Sequence, residues 1–383
     1  MTSFNFQTLS RSRMTIIISL AAGIAVLFRS FSFVESRRET FYDAPSETSL
    51  SSPLHPKDMS SFAPNFRVIT VTDNVFDTIS CGGCTALHQL AEELRSHGMS
   101  VETISWDTMK KTRWDCNIQG DTVVIFSEGI EQSCKVPPRL TIRWILAPMG
   151  AVYQHSVTSA WSQNDWVYNY GKYAPGVAGG VPDENLLTVL RNPYRGDEFD
   201  IPQPHSSLRK GTCYTSRKQH LFHRESSITW LHTSDDTPLA ETISESVKQF
   251  LVHEFFVSYD PYTFLTFIAA WEGCVPIVHP LGNLTKREWI LSTAWGPYVR
   301  LSKRDVLMDG VAYGSSPDEI ERARRTLPLM RKEFELVKEW GRGTVSSFIE
   351  DVLSHLSGKE PRGRRLVSDF YPPGWNPGKI TAK

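Results

Sequence analysis

Residues 256–280 read FVSYDPYTFLTFIAAWEGCVPIVHP, and the order of residue types in them predicts a strand, a helix and a second strand. The first strand, Phe255–Ser258, runs towards Asp260, a residue suited to cap a helix, and Pro261 then falls where a helix tolerates proline best, at its first position. The run that follows is apolar nearly all round, which predicts a helix buried between a sheet and its neighbours. Val275–Val278 reads as the next strand. The N-terminus of that helix, with Tyr262 and Thr263, would present free backbone N–H groups, which suit a nucleotide diphosphate or a ribose.

Working outward, the same alternation recurs. Gly211–Ser216 reads as a strand leading into the basic pair Arg217-Lys218, Ile228–His232 as a strand and Leu239–Gln249 as a helix. Glu319–Trp340 and Thr344–Leu356 read as two C-terminal helices. On the other side, Arg67–Thr72 (RVITVT) is a β-branched strand, followed by a loop through Gly82-Gly83. A helix comes next, with Leu87, Leu90, Ala91 and Leu94 on one face and a glycine stop at His97-Gly98. Strands follow near Val101–Ile104, Thr122–Phe126 and Leu140–Leu146. Strands alternating with helices mean parallel sheets covered on both faces. Pro175–Pro204 is rich in Gly and Pro and marks a boundary. The expected fold is α/β, with two Rossmann-like domains, residues 65–200 and 201–358, facing across a cleft, and a tail over 359–383. Ligands of such sheets bind at the carboxyl ends of the strands.

The N-terminus reads as an address. Thr15–Phe28 (TIIISLAAGIAVLF) is uncharged and apolar, preceded by Arg11 and Arg13 and extended by FSFV at 31–34. It is either an uncleaved signal-anchor over residues 1–34 or a cleaved signal peptide. The absence of a small-x-small cleavage site favours the anchor. Residues 35–64 are polar and rich in Ser and Pro, a stem that holds a domain off the membrane. The expected location is a single-pass membrane protein of the Golgi or another secretory-pathway lumen.

The chain of 383 residues carries 41 basic and 42 acidic side chains, so no overall field favours nucleic acid. Six cysteines stand at 81, 84, 116, 134, 213 and 274, without the second pair or histidine pair that a zinc set needs. An oxidising lumen would allow Cys81–Cys84 and one other bridge; buried free thiols are the alternative. There is no Asp-x-Asp triplet, the acidic pair that holds a bridging metal in one large class of sugar transferases, so no metal is expected.

The segment 256–280 resembles the donor-binding strand–helix–strand of GT-B glycosyltransferases, and most of all a family of bacterial and algal glycosyltransferase-like proteins with a YDP–T–helix–AA–x–GC–P-I-V pattern. Further blocks match in the same order across about residues 65–345. They are Gly82-Gly83 with ALHQLAEEL, TIRWILAPMG at 141–150, CYTSRK at 213–218, KREW at 286–289 and GVAYG at 310–314. The resemblance implies a GT-B fold and a nucleotide-sugar donor that is a substrate, with no cofactor. It makes Tyr259, Asp260, Tyr262 and Thr263 donor-side candidates, and likens Tyr313 and Gly314 to the family's donor-side loop. One departure stands out. Many retaining GT-B enzymes carry two glutamates eight positions apart here, whereas this chain has Asp260 and Ala269, with Glu272 out of register.

The resemblance implies a role for Arg217 and Lys218, because GT-B enzymes resembling this chain use a basic residue there to neutralise the leaving diphosphate. A fixed cation there stabilises charge that builds as the sugar–phosphate bond breaks. Lys286 in KREW is expected to matter less. Gly82 and Gly83 allow backbone to approach a ligand on the opposite wall. Glu128, at the end of the strand Thr122–Phe126, is a general-base candidate for an inverting reaction, alongside Asp73 and Asp77. For Arg143 a structural ion pair is the expectation, and His155, His253 and His279 read as core or surface histidines. The acceptor is a glycan, a lipid or a protein. Two other readings compete: a non-catalytic sugar- or nucleotide-sugar-binding descendant of the fold, and a Golgi-type sulfotransferase. The loop DNVFDTISCGGC disfavours the sulfotransferase, because it lacks the basic residues of a phosphate loop.

Overall fold

Two parallel sheets with one shared strand order organise the computed structural model, which describes residues 64–71, 82–146, 161–171, 183–190, 208–216, 231–282, 284–293, 295–296, 298, 308–359 and 366–370. The chain divides into the units Met1–His55 and Pro56–Lys383, and every described residue belongs to the second. The expected anchor lies outside the described residues, as does the expected stem up to residue 63. Among the described residues no helix is long and apolar enough to cross a membrane.

Strands β1 (Asn65–Thr70), β2 (Ser100–Ser105), β3 (Thr122–Ser127), β4 (Leu140–Ile145) and β5 (Trp166–Asn169) form the first sheet. Their order is β2-β1-β3-β4-β5, every neighbouring pair parallel. Strand β3, TVVIFS, is buried along its whole length, as a central strand covered on both faces must be. Helix α1 (Gly82–Ser96) packs on β1 and β2. Its Leu87, Leu90, Ala91 and Leu94 are fully buried, the stripe that the i, i+3, i+4, i+7 spacing requires. The helix ends where Gly98 takes φ +79° and the Met99 N–H returns to the Leu94 carbonyl at 3.1 Å.

Strands β6 (Thr212–Thr215), β7 (Thr237–Pro238), β8 (Phe255–Ser258), β9 (Val275–Val278) and β10 (Ala312–Tyr313) form the second sheet, order β10-β9-β8-β6-β7, again all parallel. Numbered within its own half, each sheet therefore runs 2-1-3-4-5. Helices α3 (Ile243–Val252) and α4 (Leu265–Trp271) cover one face, where Ile243, Val247, Phe250, Leu265 and Ile268 pack on Cys213 and Phe256. Residues Ile320, Ala323 and Leu327 cover the other, against Val257, Tyr259 and Ile277.

Those three residues belong to a helix of 40 residues, α6 (Pro317–Leu356), about 60 Å long at ~1.5 Å per residue. Its far end packs on the first sheet. Phe348 meets Tyr168 edge-on at 4.9 Å, Thr344 Oγ1 accepts the Thr188 N–H at 3.0 Å, and Arg139 donates to the Leu356 carbonyl at 3.1 Å. A Cβ on Gly341 would lie 2.8 Å from the Thr188 carbonyl oxygen, so the absence of a side chain there permits the contact. Shorter helices include α2 (Trp106–Lys111), α5 (Lys286–Ser292) and α7 (Val367–Phe370).

Several expectations are corrected. The helix after β8 starts at Leu265 with Phe264 as its cap residue, not at Pro261 after Asp260. The two C-terminal helices are one, running through Pro328, Gly341 and Gly343. The helix expected to start at Leu239 begins at Ile243, capped by Thr242. Of the strand expected at Ile228–His232, only Leu231 and His232 are described, and they form a bend; the strand beside β6 is Thr237–Pro238. Periodicity does not reveal β5 or α2, at four and six residues too short to show one. Among the cysteines, Cys116 and Cys134 form a disulfide and Cys84 is also disulfide-bonded, while Cys213 and Cys274 are buried free thiols. Bridges and buried thiols thus coexist.

Candidate functional site

In an open sheet of order 2-1-3-4-5, the strands on either side of the reversal send their connections to opposite faces, and a crevice opens between their carboxyl ends. That point lies between β1 and β3 in the first sheet and between β6 and β8 in the second. Glu128 directly follows β3, and Tyr259-Asp260 directly follow β8. Both sets of sequence-derived candidates therefore fall at a switch point. Arg217 and Lys218, which follow β6, lie outside the described residues, as do Asp73 and Asp77.

At the second switch point, the Asp260 carboxylate is buried and accepts the Tyr262 N–H through Oδ1 at 3.0 Å. Ser258 Oγ donates to the Asp260 carbonyl at 2.8 Å and accepts the Asp260 N–H at 3.3 Å. The YDPYT turn is fixed from the side as well. Trp289 Nε1 donates to the Pro261 carbonyl at 2.8 Å, Tyr262 Oη lies 3.1 Å from Ser292 Oγ, and Thr263 Oγ1 accepts the Leu265 N–H at 3.4 Å. Burial pushes the Tyr262 hydroxyl up, against the opposing effect of Ser292. Asp260 thus closes a two-residue turn, and the Tyr262 and Thr263 amides it was expected to align at a helix start precede the first helical residue, Leu265. Glu272, the out-of-register acid, is the C-terminal cap residue of α4 and its carbonyl accepts from Arg209 at 2.6 Å. Ala269 is fully buried.

Tyr259 is buried completely, with its hydroxyl turned to its own chain. The Leu231 N–H donates to Oη at 2.6 Å and His232 Nδ1 lies 2.8 Å away. His232 in turn stacks on Tyr214 of β6, centroids 3.6 Å apart and planes 11° apart. This ring array bridges β6 and β8 across the switch point. Nothing local in the sequence announces it, because Tyr259 and His232 stand 27 residues apart. The only hint is the turn chemistry of Thr233–Asp236, where Asp236 Oδ2 accepts the Thr233 N–H at 2.7 Å and so fixes the bend. His279 lies against Tyr259 at 5.2 Å. His253 bonds to the α3 carbonyl of Gln249 and to Thr237, a structural role as expected.

Beside β10, Tyr313 and Gly314 are tied into a charge cluster. Tyr313 Oη accepts the Leu281 N–H and donates to the Leu284 carbonyl, both at 3.0 Å, and its ring stacks on Trp289. Gly314 takes φ +89° and its N–H donates to the Val278 carbonyl at 2.9 Å. The Tyr313 N–H donates to Glu319 Oε1 at 3.1 Å; the same carboxylate pairs with Lys286 and, at 2.8 Å, with Arg322. Burial works to raise the Glu319 carboxyl, but the hydrogen bonds from Arg322, Lys286 and Tyr313 outweigh it and hold it below the ordinary range. Lys286 is lowered as well, because burial and the neighbouring Arg322 charge outweigh its pairing with Glu319.

At the first switch point Glu128 is buried and accepts the Leu146 N–H through Oε2 at 2.9 Å. That backbone donor fixes the carboxylate at the end of β3. Gly82 and Gly83 open α1, and a Cβ on Gly83 would make only ordinary contact with Leu146 at 3.5 Å. Gly83 therefore sits close to the Glu128–Leu146 pair without conformational need for glycine. Arg143 meets its expectation: it is buried, and its Nε donates to Asp165 Oδ2 at 2.8 Å.

The sequence matches no protein-family model and no curated protein.

Proposed function

We propose that this chain is a metal-independent glycosyltransferase of GT-B architecture, moving a sugar from a nucleotide-sugar donor to a glycan, lipid or protein acceptor. The observation that carries the reading is the duplicated 2-1-3-4-5 parallel sheet with a candidate acid at each switch point, Glu128 in the first and Asp260 in the second. In this reading the second half holds the donor, with Tyr262, Thr263, Tyr313 and Gly314 around it and Arg217 and Lys218 on the leaving diphosphate. Glu128 takes the acceptor proton from the first half. The nucleotide-sugar is a substrate and no cofactor is needed. The disulfide Cys116–Cys134 supports an oxidising, secretory-pathway compartment, in keeping with an N-terminal anchor.

The test is a panel of UDP-, GDP- and CMP-sugars added to the purified chain, with melting temperature and released nucleotide both followed, with and without EDTA. Binding of one donor raises the melting temperature in proportion to its occupancy. The expected result is stabilisation by one base class and nucleotide release that survives chelation. Stabilisation without release across acceptor classes would favour the non-catalytic reading, and no response to any donor would remove both.

A further inference from the structure

We propose that Cys81 and Cys84 are a redox-active pair that exchanges its disulfide with the thiols of a substrate. Cys84 is disulfide-bonded, and its partner follows by elimination. Of the six cysteines, Cys116 and Cys134 bond each other and Cys213 and Cys274 are free, so only Cys81 remains. The bond therefore closes the unit Cys81-Gly82-Gly83-Cys84, which stands between β1 and the body of α1. A C-x-x-C unit where a strand of a parallel sheet gives way to a helix is the setting in which α/β proteins carry out thiol–disulfide exchange.

Stability does not account for this bond. A crosslink constrains the unfolded chain more the longer the loop it closes, and this one spans three positions where Cys116–Cys134 spans 18. Helix α1 is already held by Leu87, Leu90, Ala91 and Leu94, all fully buried. Cys84 is the third residue of that helix, and the first turn carries no acidic side chain. The unpaired N–H groups and positive dipole end there stabilise a thiolate, the species that both attacks and leaves in exchange. Cys84 is only 4 % exposed, which directs an incoming thiolate to Cys81. The two residues between the cysteines carry no side chains. Packing does not demand this at Gly83, where a Cβ would meet Leu146 at an ordinary 3.5 Å, and bare backbone beside the bond suits the approach of a thiol.

A substrate thiolate attacks the Cys81 sulfur, the Cys81–Cys84 bond breaks, and Cys84 leaves as a thiolate that takes up the proton the substrate gave up. A second substrate thiolate attacks the substrate sulfur of the mixed disulfide. The substrate disulfide forms, and Cys81 leaves and takes up the second proton. Two electrons thus pass from two thiols to the chain, and a small disulfide such as oxidised glutathione restores the bonded pair by the same exchange. None of this depends on the sugar-transfer reading.

The full chain, equilibrated with graded ratios of reduced to oxidised glutathione, quenched by alkylation and mapped by mass spectrometry, tests the proposal. The peptide holding Cys81 and Cys84 should open at ratios that leave Cys116–Cys134 closed, with the buried Cys213 and Cys274 unlabelled as a control for folding. In Cys84→Ser, Cys81 lacks its resolving partner and should accumulate a mixed disulfide. Glutathione and an added cysteine-containing peptide give adducts of different mass, so the faster adduct tells a small thiol from a polypeptide as the source. Cys81→Ser should take no adduct. With a reduced dithiol peptide and oxidised glutathione, the wild-type chain should speed peptide oxidation several-fold over Cys81→Ser/Cys84→Ser, whose melting temperature should stay close to wild type. A pair that resists glutathione as firmly as Cys116–Cys134, a Cys84→Ser chain without adduct, or peptide oxidation no faster than with the double variant would each overturn the proposal.

Discussion

Arg143 Nε donates to Asp165 Oδ2 at 2.8 Å, and both side chains are buried. The arginine also donates to the carbonyls of Ile130 and Gln132 at 2.9 and 3.2 Å and to Ser133 Oγ at 3.1 Å, with its guanidinium over the rings of Phe126 and Trp161. One side chain thus holds the helix-free connection from β3 to β4 and the approach to β5. Burial pushes Arg143 down and Asp165 up, and their mutual attraction and hydrogen bond oppose both shifts.

Arg143→Met leaves the buried Asp165 carboxylate without its charged partner and removes one donor from each of the Ile130, Gln132 and Ser133 acceptors. Removing one member of such a pair costs on the order of 3–5 kcal/mol. Chemical denaturation should show that loss. The double variant Arg143→Met/Asp165→Leu should cost clearly less than the two single changes added together. Simple additivity would mean that the pair is not coupled.

The same connection carries a covalent tie. Cys116–Cys134 spans 18 residues of chain, a loop for which a crosslink contributes roughly 3 kcal/mol through the unfolded state. Cys116→Ser/Cys134→Ser should lower stability by about that amount or somewhat less, since Arg143 still pins residues 130–133. A midpoint in denaturant unchanged from wild type would show that the bridge is redundant with the arginine.

What the sequence made legible was local. The Leu87–Leu94 stripe and the Gly98 stop defined α1 because every residue concerned lies within one helix. Strand β3 was legible because a continuous β-branched run has few other uses. The contacts that organise the candidate site join residues far apart: Tyr259 and His232, Arg143 and Asp165, Glu128 and Leu146. Asp260-Pro261 misled because an aspartate that accepts an N–H two residues on serves a turn as well as a helix start. Gly341 and Gly343 read as a break in α6, whereas Gly341 is there to let the intact helix meet the Thr188 backbone.

Acid should act on the α5–β10–α6 junction through Glu319. Its carboxyl is held below the ordinary value by Arg322, Lys286 and the Tyr313 amide despite burial. A depressed carboxylate contributes stability that is present above its unfolded value, about 4.3, and is lost as pH falls through the lower folded value. Denaturation midpoints should therefore drop below about pH 4.3, and Glu319→Gln should flatten part of that drop while lowering stability at pH 7. An acid profile identical in the variant would place the dominant titration elsewhere.

The basic pair after β6 sets the last test, and the structure changes its control. Lys286 is expected from the sequence to matter less than the basic pair, yet it is mostly buried and paired with Glu319, so Lys286→Ala should destabilise the fold. Lys248 is the better control: it is exposed, and its partner Glu245 lies one turn away on the same helix, where such pairs contribute only about 0.3–0.5 kcal/mol. If Arg217 and Lys218 neutralise the leaving diphosphate, Arg217→Ala/Lys218→Ala should lose at least about a hundredfold in turnover, the typical cost of one transition-state electrostatic contact. Donor affinity should change far less, because the charge they meet is greatest in the transition state. Melting temperature should match that of Lys248→Ala. Wild-type turnover in the double variant would move the phosphate site away from the end of β6, and with it the assignment of the second half as the donor side.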